Sequence, residues 1–287
     1  MKNNIGQRDL LKIVPNREEN EKMKLSISNI AWDKEHDEEM YEYLSKNGFD
    51  GIEIAPTRIF EQVPYEKIEK AREFAKNLKQ KYDLSISSIQ SIWYGKNARL
   101  FGSEEQRESL TQYTKKAINF ANVIGCRNLV FGCPKNRSLK TKEDIKVGIQ
   151  FFKEIGEYAK KKNTVFAIEP NPTIYNTNFI NTTKEAFDIV EKIDHDAIKV
   201  NVDLGTMIEN GENIDVLEEH YHEINHIHIS EPNLEKIQKR TIHKELASNL
   251  KQKNYQNYVS IEMKRQENIE EVKKVMEYVK DVFVGGI

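Results

Sequence analysis

Four residues able to bind a cation stand near the ends of the last four strand-like runs of the chain. They are Glu169 in the run 165–170, Asp203 in 198–205, His228 in 224–230 and Glu262 in 258–264. Alone, each acid reads as a helix cap or a surface ion pair. Together they are harder to explain, because three carboxylates and an imidazole gathered without a cation would repel one another strongly. An oxygen-rich set of this kind suits a divalent ion that keeps positions open for substrate. That chemistry points to an enzyme.

The four can meet only if the strands carrying them end at one place. From Lys24 onward, short β-rich runs at 24–30, 51–55, 84–90, 127–132, 164–169, 198–203, 224–230 and 257–263 alternate with amphipathic stretches. The stretches lie near 37–47, 65–81, 103–124, 141–162, 182–193, 212–221, 241–253 and 267–282. Eight strands, each followed by a helix, predict a single (β/α)8 TIM barrel over 23–287, whose C-terminal strand ends share one mouth. A doubly wound open sheet is the rival, but no G-x-G-x-x-G follows the first strand. Residues 1–22 are mostly polar and charged and read as an N-terminal extension.

Side-chain alternation supports closure. Val165, Ala167 and Glu169 share one face of their strand, as do Lys199, Asn201 and Asp203, then His226, His228 and Ser230, then Ser260, Glu262 and Lys264. The opposite faces are wholly apolar, as helix-covered faces must be. A plain parallel core would be apolar on both. His226 and His228 both point inward by this parity; His228 is nearer the mouth and is the expected ligand, with His226 a packed or supporting histidine.

Composition sets limits. With 44 Lys plus Arg against 46 Asp plus Glu, the net charge of −2 offers no basic excess for nucleic acid. No leader-like segment or membrane-length apolar run is visible, so a cytoplasmic location and no membrane partner are expected. Cys126 and Cys133 form neither a disulfide framework nor a C-x-x-C clip. No G-x-S-x-G elbow or P-loop is present. A homo-oligomer is left open.

The runs Ala167-Ile-Glu-Pro-Asn-Pro172, Val202-Asp-Leu-Gly205, His226-Ile-His-Ile-Ser-Glu-Pro232 and Val259-Ser-Ile-Glu-Met263 resemble the xylose isomerase-like barrel superfamily. More narrowly they resemble its sugar phosphate isomerase/epimerase members. Lys24-Leu-Ser-Ile-Ser-Asn-Ile-Ala-Trp32 and Gly48-Phe-Asp-Gly-Ile-Glu-Ile54 are similar to that family's first two strands. The resemblance implies one divalent metal ion (Mn, Co, Mg or Zn) bound by Glu169, Asp203, His228 and Glu262. It also implies catalytic proton transfer by Glu169 and Glu262 on a small sugar or sugar phosphate, through an enediolate that the ion would stabilise. Two positions depart from the ketose epimerases, which place a histidine three residues after the sixth-strand aspartate and an arginine six residues after the seventh-strand histidine. Here they are Thr206 and Leu234. Thr206 also argues against the endonuclease branch. A metal-dependent dehydratase or lyase acting on a polyol-derived acid, and a silent sugar-binding barrel, remain as alternatives.

Other residues could supply substrate contacts. Lys135 and Arg137, after the fourth strand, could grip a phosphate or carboxylate, or belong to a solvated loop. Gln90 and Trp93 could give a hydrogen bond and an apolar wall, with rim packing the bland reading of Trp93. Glu231 could bind a hydroxyl or orient a ligand. Lys264 could contact substrate or balance carboxylate charge, His243 is a lesser candidate, and Glu53 points inward from the second strand.

Overall fold

A computed structural model describes residues 23–285, so the expected extension 1–22 lies outside the described residues. The strands are β1 (Lys24–Ser28), β2 (Gly51–Ile54), β3 (Ser85–Ile89), β4 (Asn128–Phe131), β5 (Val165–Ile168), β6 (Ile198–Asp203), β7 (Ile224–Ile229) and β8 (Tyr258–Ile261). They pair in sequence order, all parallel, and β1 pairs with β8 to close the barrel. The helices are α1 (Asp37–Lys46), α2 (Pro56–Ile59), α3 (Ile68–Tyr82), α4 (Glu104–Val123), α5 (Asp144–Lys161), α6 (Thr183–Ile193), α7 (Leu204–Asn210), α8 (Thr241–Gln252) and α9 (Ile269–Phe283). No described helix is long and apolar enough to cross a membrane.

The strands face two ways for the reason their alternation gives. Leu25, Ile27, Ile52, Phe166, Ile168, Val200, Val202, Ile227, Val259 and Ile261 are fully buried beneath the helices. Ser26, Ser28, Glu53, Ser88, Asn201, His226, His228 and Ser260 are equally buried but polar, and parity turns them to the axis. Helix starts follow capping chemistry. Ser103 accepts from the Gln106 N–H, Thr182 from Glu185 and Asn268 from Glu270 at the heads of α4, α6 and α9.

One helix differs from expectation. The stretch 212–221 is not α-helical; it holds a 3-10 turn at Ile214–Leu217. The helix after β6 begins at once as α7, because the Asp203 carboxylate accepts the Thr206 N–H at 2.6 Å. It stops at Gly211, whose φ of 65° is the left-handed geometry of a helix end.

Candidate active site

Each of the four sequence-predicted ligands occupies the C-terminal end of its strand. Glu169 and Glu262 stand one residue beyond β5 and β8, fixed by N–H bonds to Phe131 O (3.0 Å) and Ile229 O (2.9 Å) on the preceding strands. Asp203 ends β6, and the register sets it beside His228 of β7. One donor atom from each of Glu169, Asp203, His228 and Glu262 falls within a set whose members all lie within 4.8 Å of one another. His228 Nδ1 is central, 2.8 Å from Glu169 Oε1 and 3.1 Å from Glu262 Oε2. His228 is fully buried, and the carboxylates are 7–8% exposed, so the cluster opens narrowly to solvent.

Neighbours hold these groups in place. Asn201 Nδ2 donates to Glu169 Oε1 at 2.7 Å, and Asn171 Nδ2 to Glu169 Oε2 at 3.2 Å. The Thr206 hydroxyl reaches Asp203 Oδ1 at 2.7 Å, while Ser230 Oγ donates to Asp203 Oδ2. Two glycines make room. A Cβ at Gly132 would sit 2.6 Å from Glu169 Oε2, and one at Gly205 would meet the Glu231 backbone at 2.9 Å.

The electrostatics show what such crowding costs. Burial, aided by the Glu169 charge, pushes the Asp203 carboxyl up to about 6. Burial, with Glu169 and Glu53 adding to it, pushes Glu262 up to about 7. Burial works against charge on His228, yet Glu53, Glu262 and Glu169 hold its pKa well above the ordinary value. Three crowded carboxylates and one imidazole, with Asp203, Glu262 and His228 all driven toward their protonated forms, are the donor set a hard divalent cation fits.

The predicted substrate contacts are placed differently. Gln90 is buried and bonds inward to Ser28 Oγ and Glu53 Oε1. Trp93 is no wall of the mouth: it packs edge-on against Phe131 and Phe151 in the helix layer, and its Nε1 donates to Thr114 Oγ1 at 2.9 Å. Arg137 is fully buried and donates to Phe131 O and Ile180 O, tying the end of β4 to the loop after β5. Nη1 and Nη2 are turned to backbone carbonyls, Nε has no partner among the described residues, and the fully buried guanidinium presents no exposed face to an anion at the mouth. Lys135 is exposed on a 3-10 turn. Glu231 is engaged by Arg240 through Nε–Oε1 (2.7 Å) and Nη2–Oε2 (2.6 Å) contacts, and Lys264 pairs with Glu235 in the open. His243 is buried on α8, its Nδ1 2.9 Å from the Tyr278 hydroxyl.

Other residues at the mouth were not singled out by sequence. Asn201 and Ser230 share the inward parity of Asp203 and His228, which is the signal that could have found them. Tyr175 had none: it comes from the loop after β5, and its hydroxyl accepts the Asn233 N–H at 2.8 Å, linking that loop to the one after β7. Burial pushes its phenol up to about 12, with Asp203, Glu262 and Glu169 adding to the shift. A cavity of about 640 Å³ lies at the opposite end of the barrel, lined by Lys24, Ser87, Arg127, Asn128 and His226 among others. It contains none of the four predicted ligands.

The family model described as xylose isomerase-like TIM barrel matches residues 41–282. No curated protein sequence matches the chain. Among solved structures, 3-keto-D-glucoside 4-epimerase from E. coli has a TM-score of 0.74 at 20% identity, covering 90% of this chain and 99% of that one. D-psicose 3-epimerase with D-tagatose, from Clostridium cellulolyticum H10, has a TM-score of 0.76 at 16% identity, covering 91% and 99%. The IOLI protein with a bound zinc atom has a TM-score of 0.70 at 17% identity, covering 91% and 98%. At these identities the likeness is one of fold.

Proposed function

The chain belongs to the xylose isomerase-like TIM barrel family, and from that premise we propose that it is a divalent-metal-dependent isomerase or epimerase of a small sugar or sugar phosphate. The observation that carries the proposal is the convergence of Glu169, Asp203, His228 and Glu262 at the mouth. Similarly folded proteins that are named as epimerases of a 3-keto-D-glucoside and of D-psicose, and a zinc-binding one, support the same direction. Glu169, Asp203, His228 and Glu262 would hold the ion, which when bound supplies Lewis-acid polarisation of a substrate carbonyl and its neighbouring hydroxyl.

The protein's own groups account for the proton movements. Glu169 and Glu262 reach in from β5 and β8, 2.8 and 3.1 Å from His228 Nδ1. One carboxylate can remove the proton beside the substrate carbonyl, and the other can return a proton to the opposite face or the adjacent carbon. Asn201 and Asn171 keep Glu169 oriented, so its basic oxygen is positioned before substrate arrives. The narrow opening limits water around the carbanion-like intermediate. Lys135, exposed after β4, is left as the mouth-side cation for a phosphorylated substrate.

Incubation in deuterated water with ketoses and sugar phosphates, in the presence of Mn²⁺, Co²⁺, Mg²⁺ or Zn²⁺, tests the proposal by NMR. Deuterium should enter substrate at the carbon beside the carbonyl, and chelation should stop it. Glu262→Gln with metal occupancy verified should lower exchange by about 10²–10⁴-fold. Loss of water from a sugar acid without such exchange would instead indicate a lyase, and exchange at the wild-type rate in Glu262→Gln would remove that residue from the proton path.

A further inference from the structure

Glu53 is a fully buried carboxylate on the axis of the barrel, directly beneath the ligand cluster. Its ion-pair partners among the described residues are two imidazoles: His228 Nε2 at 2.9 Å and His226 Nε2 at 3.2 Å, both at Oε2. Its other oxygen lies 3.3 Å from Gln90 Nε2. Of the two imidazoles only His228 is in hydrogen-bond geometry with Glu53; neither ring nitrogen of the equally buried His226 has a hydrogen-bond partner among the described residues.

A carboxylate so deeply buried is tolerable only when donors are aimed at it. Gln90 Nε2 donates to one oxygen, and His228 satisfies the other by keeping a proton on Nε2; His226 Nε2 lies 3.2 Å from that same oxygen without hydrogen-bond geometry. For His228 this has a chemical consequence at the other side of the ring. With the Nε2 proton committed to Glu53, the proton that a cation would displace is the one on Nδ1, the atom that faces Glu169 and Glu262. Ligating histidines commonly have their free N–H held by a carboxylate in this way, which fixes the ring and strengthens its basicity.

We propose that Glu53 is a positioning residue that keeps the His228 proton on Nε2, so that Nδ1 is the cation-binding atom, with Gln90 the second donor to Glu53 and His226 packed against it. This rests on the metal-centre reading above and deepens it. Glu53, His226 and His228 also lie close enough to form a second cation set. Occupying both sets would strip His228 of its remaining proton to make a bridging imidazolate, whereas a hydrogen bond requires no such loss.

The test uses the full chain, ¹⁵N-labelled and loaded with Zn²⁺. Imidazole ¹H–¹⁵N spectra of the wild type should show His228 protonated at Nε2 and metallated at Nδ1, and calorimetric titration should give one equivalent of Zn²⁺. Glu53→Gln should weaken Zn²⁺ binding by about 10–100-fold, His226→Gln should weaken it less, and Glu53→Asp should recover part of the loss. Wild-type affinity and an unchanged tautomer in Glu53→Gln, or metallation of His228 at Nε2, would overturn the inference, as would two bound equivalents with Glu53 as a ligand. If Glu53→Gln does not fold, the wild-type spectrum still decides the tautomer. A wild type that binds no Zn²⁺ would defeat the metal-centre reading first and this inference with it, whereas normal binding with an unaffected Glu53→Gln would defeat this inference alone.

Discussion

Asp203 and Glu262 are acids that the barrel mouth makes reluctant to ionise, and this has a measurable consequence for the metal-free protein. A group whose pKa is higher folded than unfolded stabilises the fold at low pH and loses that contribution as pH climbs through its folded value. For Asp203 and Glu262 the loss runs up through about 6 and about 7. His226 and His243 are both lowered by burial, the latter to about 4, and act in the opposite sense below the ordinary histidine value. Glu53, held low by His228 and His226 against the cost of burial, loses its contribution only in acid. Above pH ~6.5 the raised His228 dominates. Between about pH 6.5 and 8.5 the chelated protein should therefore lose stability as pH rises, read as a falling Tm. Melting curves across that range check this, and a Tm that rises instead would contradict the reading of the cluster. Because a divalent ion competes with the same protons, the increase in Tm on adding one should grow over this interval. The convergence of the four candidate ligands was legible because position at a strand end and inward parity are both properties of sequence. Parity could not choose between His226 and His228; depth along β7 could. Tyr175 and the true surroundings of Arg137 were not legible, since loop residues follow no period.

At the level of elements, all eight strands lie within the runs expected for them, because most set an apolar face against a more polar one, although β3, with Ser87 and Ser88 adjacent, breaks the alternation. The helix after β6 was misplaced for a physical reason. Asp203 was read as a ligand alone, yet its carboxylate also caps α7, starting the helix at once, and Gly211 stops it before the 212–221 stretch begins. Trp93 shows the matching limit at β3, where Ser91 turns the chain at a φ of 54° and sends the indole outward to the aromatic layer. Trp93→Phe should cost about 1–2 kcal/mol, from the lost bond to Thr114 and the smaller ring, with Zn²⁺ affinity and KM unchanged. Chemical denaturation beside calorimetric titration separates the two effects. A raised KM with unaltered stability would return the indole to the substrate pocket.

For the whole molecule, closure is what turns four separated residues into one site. The pairing of β1 with β8 completes a ring in which β5 to β8 present Glu169, Asp203, His228 and Glu262 at a single end, while the polar axis beneath them carries Glu53 and His226. Alternating strands and helices made that ring legible. The substrate was not, because the loops that would select it are irregular and because Thr206 and Leu234 replace the sugar contacts of the enzymes the sequence resembles. Of all measurements, anomalous diffraction from crystals soaked in Mn²⁺ addresses the central claim most directly. A single peak about 2.0–2.3 Å from donor atoms of Glu169, Asp203, His228 and Glu262 is the predicted result. A protein that leaves this cluster empty while taking Mn²⁺ elsewhere, or takes none at saturating concentration, would contradict it.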